Sequence, residues 1–348
     1  MIERRKSSLI KIGNLAIGGD APIVVQSMTK TDTRDVRSTV RQIKELEEAG
    51  CELIRVAVPD KEAAEAIREI KKSIGIPLVA DIHFDYRLAL EVMANGVDGL
   101  RLNPGNIGGP ERVTAVVKAA KERQIPIRIG VNAGSQPADI DASLPVADKM
   151  VAAAMREIRL LEELDFGLIK ISLKAFDVPA TIEGYRAIAA MVPYPLHIGI
   201  TEAGLPPAGI IRSVAGIAPL LYQGIGDTIR VSLTASPVAE VETAYEILKS
   251  LNLRRRGPVL ISCPTCGRTE IDVARIAEEV NRRLAECGKE IKVAVMGCAV
   301  NGPGEARDAD IGIAGGKGKA LLFKLGQKLR AVDEDCIIDE LMKEIDSL

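Results

Sequence analysis

Cys263-Pro-Thr-Cys266 opens a chemical signature that resumes at Cys298 and Glu305, within Val295-Met-Gly-Cys-Ala-Val-Asn-Gly-Pro-Gly-Glu305. Three soft thiolates and one hard, replaceable carboxylate suit an iron–sulfur centre that carries electrons and also meets a substrate. A centre used for electron transfer alone ordinarily takes a fourth cysteine. A structural zinc site wants four closed ligands, commonly from two Cys-x-x-Cys pairs, and the chain has no second pair. Taken alone, Cys263 and Cys266 read as readily as a structural zinc staple or a buried pair of small hydrophobes as they do as a functional pair. Asn301-Gly-Pro-Gly304 reads as a tight turn whose backbone amides can face cluster sulfides. Glu305 stands just beyond it, and without that neighbour it reads as a surface carboxylate. Cys51, Cys287 and Cys336 fall in helical or strand patterns and read as core or surface thiols.

A second set of residues sits inside short apolar runs. Arg55, Arg101 with Asn103, Arg128 with Asn132, Lys170 with Ser172 and Lys174, and Arg230 with Ser232 each occupy or end such a run. Cations in apolar strand sequence are costly unless paired. A single one reads as a core ion pair or an outward-pointing stem; five strands each carrying one predict a shared cationic cup. In a chain of net charge −2, such a cup suits a small polyanion carrying phosphate or diphosphate, which arginine grips with two parallel hydrogen bonds. Glu202, in Thr201-Glu-Ala-Gly204, reads as a rim carboxylate, either a salt-bridge partner or an acid/base group. Asp81 and the two histidines, His83 and His197, lie on or beside strands and read as interior groups as readily as functional ones. Two histidines exclude a histidine-rich metal site.

The elements that would hold these groups alternate through the first 250 or so residues. Strands are expected at Ile23–Met28, Leu53–Val58, Leu78–Ile82, Gly99–Leu102, Ile127–Val131, Leu168–Leu173, Leu196–Ile200 and Thr228–Leu233. Helical spacing follows them, as in Val36, Val40, Ile43 and Leu46 before Gly50. Eight strand–helix units predict an α/β fold of the (β/α)8 TIM-barrel type, whose chemistry gathers at the C-terminal strand ends; a doubly wound sheet satisfies the same alternation. The rhythm breaks at Leu251-Asn-Leu-Arg-Arg-Arg-Gly-Pro258. This predicts a barrel over 1–255 and a small α+β domain over 256–348 carrying the cysteines. Strands are expected there at 259–262, 291–296 and 310–314, and helices near 273–287 and 337–345.

Composition narrows the function. Basic and acidic side chains number 46 and 48, aromatics are 3 % and tryptophan is absent. Neither a nucleic-acid field nor a base-stacking platform is supported. No run of about 18 apolar residues occurs, so no membrane span is expected and the cytoplasm is the expected compartment. No GxGxxG or GxxxxGK[ST] element is present, which removes support for nicotinamide or ATP dependence.

Several segments together carry a family resemblance. They are Val24-Val-Gln-Ser-Met-Thr-Lys-Thr-Asp-Thr33, Arg101-Leu-Asn-Pro-Gly-Asn106, Arg128-Ile-Gly-Val-Asn132, Ser172-Leu-Lys174, Gly199-Ile-Thr-Glu-Ala-Gly204 and the two cysteine motifs. Over nearly its full length the chain resembles the 4-hydroxy-3-methylbut-2-enyl diphosphate synthases of the methylerythritol phosphate route to isoprenoids, in their shorter bacterial form. The resemblance implies two-electron reductive ring opening of 2-C-methyl-D-erythritol 2,4-cyclodiphosphate with loss of water. It implies a 4Fe–4S cluster on Cys263, Cys266, Cys298 and an exchangeable Glu305. It implies diphosphate binding by Arg55, Arg101, Arg128, Lys174 and Arg230, with Asn103, Asn132 and Ser232 beside them, and a proton-handling role for Glu202. It further implies flavodoxin or ferredoxin as electron donor. The implied assembly is a homodimer in which the cluster domain of one subunit closes over the barrel of the other. Three other readings stand beside it. A radical S-adenosylmethionine barrel needs CxxxCxxC, which is missing. A pterin-binding transferase stapled by zinc, or a non-catalytic iron-sensing or phosphate-binding module, would differ in bound metal.

Overall fold

The structure, a computed structural model, describes residues 2–134, 140–299, 304 and 306–348. The chain divides into two compact units, Met1–Arg254 and Arg255–Leu348.

The first unit opens with a hairpin, β1 (Ile10–Ile12) and β2 (Leu15–Ile17). Eight parallel strands follow: β3 (Val24–Met28), β4 (Leu53–Ala57), β5 (Leu78–Asp81), β6 (Gly99–Leu102), β7 (Ile127–Asn132), β8 (Ile169–Lys174), β9 (His197–Ile198) and β10 (Thr228–Ile229). A helix follows each in turn: α1 (Val36–Ala49), α2 (Lys61–Ser73), α3 (Tyr86–Ala94), α4 (Pro110–Arg123), α5 (Val146–Glu163), α6 (Val178–Met191), α7 (Ala208–Tyr222) and α8 (Pro237–Ser250). The strands pair in the order β8-β7-β6-β5-β4-β3-β10-β9, and a bridge between Ile171 and Leu196 joins β8 to β9, closing the ring. This is the (β/α)8 barrel expected from the alternation, with every anticipated strand present.

Local chemistry sets where the helices begin. Asp35, Asp60 and Asp177 each accept a hydrogen bond from a first-turn amide, and Ser236 does the same for α8. Such caps satisfy amides that have no partner within the helix. Alternation along the strands turns Ile127, Ile129 and Val131, and likewise Ile169, Ile171 and Leu173, toward the helices, where they join the main apolar core. The intervening residues, Arg128 and Gly130 on β7 and Lys170, Ser172 and Lys174 on β8, point into the barrel. At the other end, the hairpin was not anticipated from the sequence. Ile10, Ile12 and Ile17 pack against Val24, Leu53 and Val79 and seal the floor at the N-terminal strand ends. Near β8 and β9, where main-chain pairing is sparse, the buried Tyr185 hydroxyl donates to the His197 carbonyl at 2.6 Å and accepts from the Leu173 amide at 3.0 Å.

The second unit is a five-stranded sheet: β11 (Val259–Ser262), β12 (Lys292–Met296), β13 (Ile311–Gly316), β14 (Lys319–Lys324) and β15 (Gln327–Asp333), in that order. β11 to β13 are parallel, and β13 to β15 form two antiparallel hairpins. Helices α9 (Val273–Cys287) and α10 (Ile337–Asp346) cover one face through Ile276, Val280, Leu284, Leu341 and Ile345. The last two strands were not expected. Gly315-Gly-Lys-Gly318, read from sequence only as too short for a cofactor loop, ends β13 and turns into β14. Leu325 and Gly326, both at positive φ, form the next tight turn.

Candidate functional site

At the C-terminal ends of the barrel strands lies a cavity of about 200 Å³ lined by Arg55, Asp81, His83, Arg101, Arg128, Asn132, Ser172, Lys174, Thr201, Arg230 and Ser232. Parallel pairing in register explains the convergence: Arg55 lies beside Val79, Asp81 beside Arg101, Arg101 beside Arg128 and Asn132 beside Lys174. Four arginines and one lysine thus face one carboxylate. Asp81 is 6 % exposed; its Oδ1 accepts from Arg101 Nη1 at 3.1 Å, and its Oδ2 lies 3.6 Å from Arg55 Nε. Burial opposes ionisation of Asp81, but Arg55, Arg101 and Arg128 outweigh it and hold its carboxyl below the usual range. Arg101 also donates to the Gly130 carbonyl at 2.9 Å. Arg230 is steadied from outside, with Nη2 3.4 Å from Glu240 Oε2 on α8; Glu240 is 2 % exposed and also accepts from the Leu233 amide.

Two glycines make room for these side chains. A Cβ on Gly130 would stand 2.3 Å from Arg101 Nε, and one on Gly199 would meet the Arg230 carbonyl oxygen at 2.3 Å and Lys174 Nζ at 2.9 Å. Either methyl would displace a cation that lines the cavity.

Beneath the cavity the interior stays polar. Arg128 and Lys170 are register partners, 3 % and 2 % exposed, and His197 Nδ1 lies 2.7 Å from Thr228 Oγ1. Among the described residues nothing hydrogen-bonds to Arg128 Nε and Nη1, Lys170 Nζ or His197 Nε2. Burial first, then repulsion from neighbouring cations, holds Lys170, Lys174 and His197 well below their ordinary pKa ranges. The same two causes lower Arg128, and Arg55 is lowered to about 10. Leaving so many buried donors unpaired is costly, and an incoming polyanion would relieve it.

The structure brings together Arg55, Arg101, Arg128, Asn132, Lys174, Arg230 and Ser232 as anticipated. Asn103 does not line the cavity; its Oδ1 accepts from the Gly130 amide at 2.9 Å, tying β6 to β7. Glu202 is exposed, at φ 54°, one residue beyond the cavity-lining Thr201. His83 stands largely exposed at the rim, 3.4 Å from Arg101 Nη1, whereas His197 is interior. Thr201 was not singled out. Asp81 is ambiguous in sequence because only its partners on the flanking strands, Arg55 and Arg101, reveal its importance.

In the second unit, Cys263 follows β11 and Cys298 follows β12, so adjacent parallel strands deliver both to the same sheet edge. The Gly297 amide donates to Cys263 Sγ at 3.4 Å. Cys266 is exposed, and none of the six cysteines is disulfide-bonded. Among the described residues no three His, Cys, Asp or Glu side chains are drawn close enough to hold a metal ion. Glu305 and the turn residues 301–303 lie outside the described residues. Cys263 and Cys298 at neighbouring strand ends, with Cys266 three residues from Cys263 in the chain, nonetheless suit a sulfur-ligated iron centre.

Among the described residues no helix is long and apolar enough to cross a membrane. Residues 7–245 match the family model described as the GcpE TIM-barrel domain, and residues 259–347 match the GcpE protein C-terminal domain. A relative from Dehalococcoides mccartyi is 66 % identical over 348 residues, covering 100 % of both chains. One from Thermodesulfovibrio yellowstonii is 56 % identical over 347 residues, covering 99 % of each. Both are named 4-hydroxy-3-methylbut-2-en-1-yl diphosphate synthase (flavodoxin). A solved dihydropteroate synthase from Stenotrophomonas maltophilia superposes with a TM-score of 0.53 at 14 % identity, over 71 % of this chain and 98 % of that one. At that identity the likeness is one of fold alone. The full-length relatives and both matched domains show that the chain belongs to the GcpE family of enzymes, the 4-hydroxy-3-methylbut-2-en-1-yl diphosphate synthases.

Proposed function

We propose that the chain makes 4-hydroxy-3-methylbut-2-enyl diphosphate for isoprenoid biosynthesis by reductive ring opening of 2-C-methyl-D-erythritol 2,4-cyclodiphosphate. Balanced, the reaction takes up two electrons and two protons and releases one water. The observation that carries this reading is the cup in which Arg55, Arg101, Arg128, Lys174 and Arg230 surround a single carboxylate, Asp81.

The cup's cations bind the diphosphate, and Asn132, Ser172, Thr201 and Ser232 add neutral hydrogen bonds that fix its orientation. Asp81 holds Arg55 and Arg101 in place for this contact. Enclosure at the strand ends strips water from the ligand and strengthens each charged contact. Glu202, at the open rim, supplies a proton where an oxygen leaves. Cys263, Cys266, Cys298 and Glu305 would hold a 4Fe–4S cluster, Glu305 as the exchangeable ligand. When bound, such a cluster supplies electrons singly, which suits a donor such as flavodoxin, the protein in the relatives' name. The 1–255 and 256–348 portions act as substrate and cluster domains, and the active site forms in a homodimer between the barrel of one subunit and the cluster domain of the other. The cytoplasm supplies donor and substrate.

Anaerobic turnover of the cyclodiphosphate with a strong artificial reductant, followed by product identification, tests the assignment. Brown protein that binds the cyclodiphosphate yet forms no allylic diphosphate refutes it.

A further inference from the structure

Lys174 differs from its neighbours in the cup in one chemical respect. Arg55, Arg101, Arg128 and Arg230 keep their protons under any ordinary condition, whereas an amine can give its proton up. The groups facing it are named strand by strand. β4 presents Arg55, β5 presents Asp81 with His83 above it, β6 presents Arg101 and β7 presents Arg128. From the far side come His197 of β9 and Arg230 after β10, the latter backed by Glu240; Lys170 lies below on the same strand, and Glu202 is exposed at the rim. The lone carboxylate among the cavity-lining residues, Asp81, is already engaged by Arg101 and Arg55.

Geometry leaves Lys174 little solvent. It is 7 % exposed, and the chain at Gly199 passes so near that a Cβ there would stand 2.9 Å from Nζ. Like charges crowded among buried side chains are relieved when the one amine among the cavity-lining residues sheds its proton, and the direction of the shift at Lys174 agrees.

We propose that Lys174 is a neutral amine in the empty cup and takes up one proton when a diphosphate ligand enters, so that binding is proton-coupled at this residue. The proposal rests on the diphosphate reading of the cup. The amine then becomes a fifth cation only when an anion is present to face it. Because the filled cup holds one more proton than the empty one, affinity falls by about tenfold per pH unit between the two pKa values of Lys174 and is level outside them.

The test is calorimetry on the full-length chain without reductant, in buffers of differing ionisation enthalpy. The ligands are the cyclodiphosphate and, as a simpler probe, the symmetric dimethyl ester of diphosphate. Neither ligand changes its own charge over the neutral range. The expected result is uptake of about one proton per chain. Lys174→Met and Lys174→Arg should bind with no uptake and with affinity independent of pH. Lys170→Met and His197→Gln should keep the uptake. Binding with no proton taken up by the unsubstituted chain overturns the proposal and spares the diphosphate reading, as does uptake that survives in both Lys174 variants. Uptake that disappears with Lys170 or His197 assigns it to the wrong residue. Failure of both ligands to bind sinks the two together.

Discussion

Gly130→Ala adds one methyl group at a tightly constrained point of the cup. The new Cβ would lie 2.3 Å from Arg101 Nε, 2.9 Å from Nη2 and 3.0 Å from Cζ. Arg101 is 6 % exposed and its guanidinium is held by Asp81 at 3.1 Å and the Gly130 carbonyl at 2.9 Å, so it cannot step aside without breaking both. Overpacking of this kind costs about 1–3 kcal/mol, which for a barrel of this size is roughly 2–12 °C in Tm. Thermal unfolding followed by circular dichroism measures it. The informative step is a double-mutant cycle with Arg101→Ala. With the guanidinium gone the methyl group has open space, and the cost of Gly130→Ala should fall toward zero, because alanine suits a strand better than glycine. An equal loss in both backgrounds would falsify the steric account and place the damage in the β7 backbone instead. Diphosphate affinity should fall in Gly130→Ala alongside stability, since the same displaced arginine lines the cavity.

Other outcomes follow from the same geometry. Asp81→Asn leaves Arg55 and Arg101 without their carboxylate and should cost about 3–5 kcal/mol at neutral pH. Its folded pKa is depressed, so Asp81 contributes stability above the unfolded carboxylate value that is lost as pH falls through the folded one. The Tm gap between wild type and Asp81→Asn should therefore close on acidification, and a gap constant with pH would refute the pairing. Cys298→Ala should lose iron and colour in anaerobic metal analysis, whereas Glu305→Ala should remain coloured with altered turnover; full iron in Cys298→Ala would overturn the ligand assignment. On the proposed homodimer, mixing Arg128→Ala chains with Cys298→Ala chains should restore about a quarter of wild-type turnover, because half the dimers would be mixed and one of their two shared sites would be intact. No recovery would argue for sites built within single chains.

The barrel was readable because its strands are buried on both sides and appear as compact β-branched runs, and because cations inside such runs demand an explanation. Arg101 in Gly-Leu-Arg-Leu and Lys170 in Ile-Lys-Ile-Ser are conspicuous for that reason. What escaped was set by partners distant in sequence. The β1–β2 hairpin has three residues per strand, too few for a period-two pattern to emerge, and its role depends on Val24, Leu53 and Val79. β15, Gln-Lys-Leu-Arg-Ala-Val-Asp, is an almost wholly exposed edge strand whose charges protect it from pairing with other chains, so it lacks a hydrophobic signature. Asn103 follows a strand that carries a cup arginine, and sequence alone does not reveal that its carbonyl is already committed to Gly130. Arg128 and Lys170 could be recognised as cations, but not their unpaired donors, which become visible only with the opposite wall in place.

The ring of strands is not equally strong around its circumference. β9 and β10 are two residues each, against six for β7 and β8, and a single bridge with the Tyr185 hydroxyl completes the circuit beside them. Amide protons on that arc have few main-chain bonds to break before exchanging, so local opening should be cheapest there. The same arc leads into Thr201 and Glu202. Breathing would thus be confined to the side that carries Arg230, while the wall opposite, with Arg55, Arg101 and Arg128, keeps its shape through every cycle of filling and emptying.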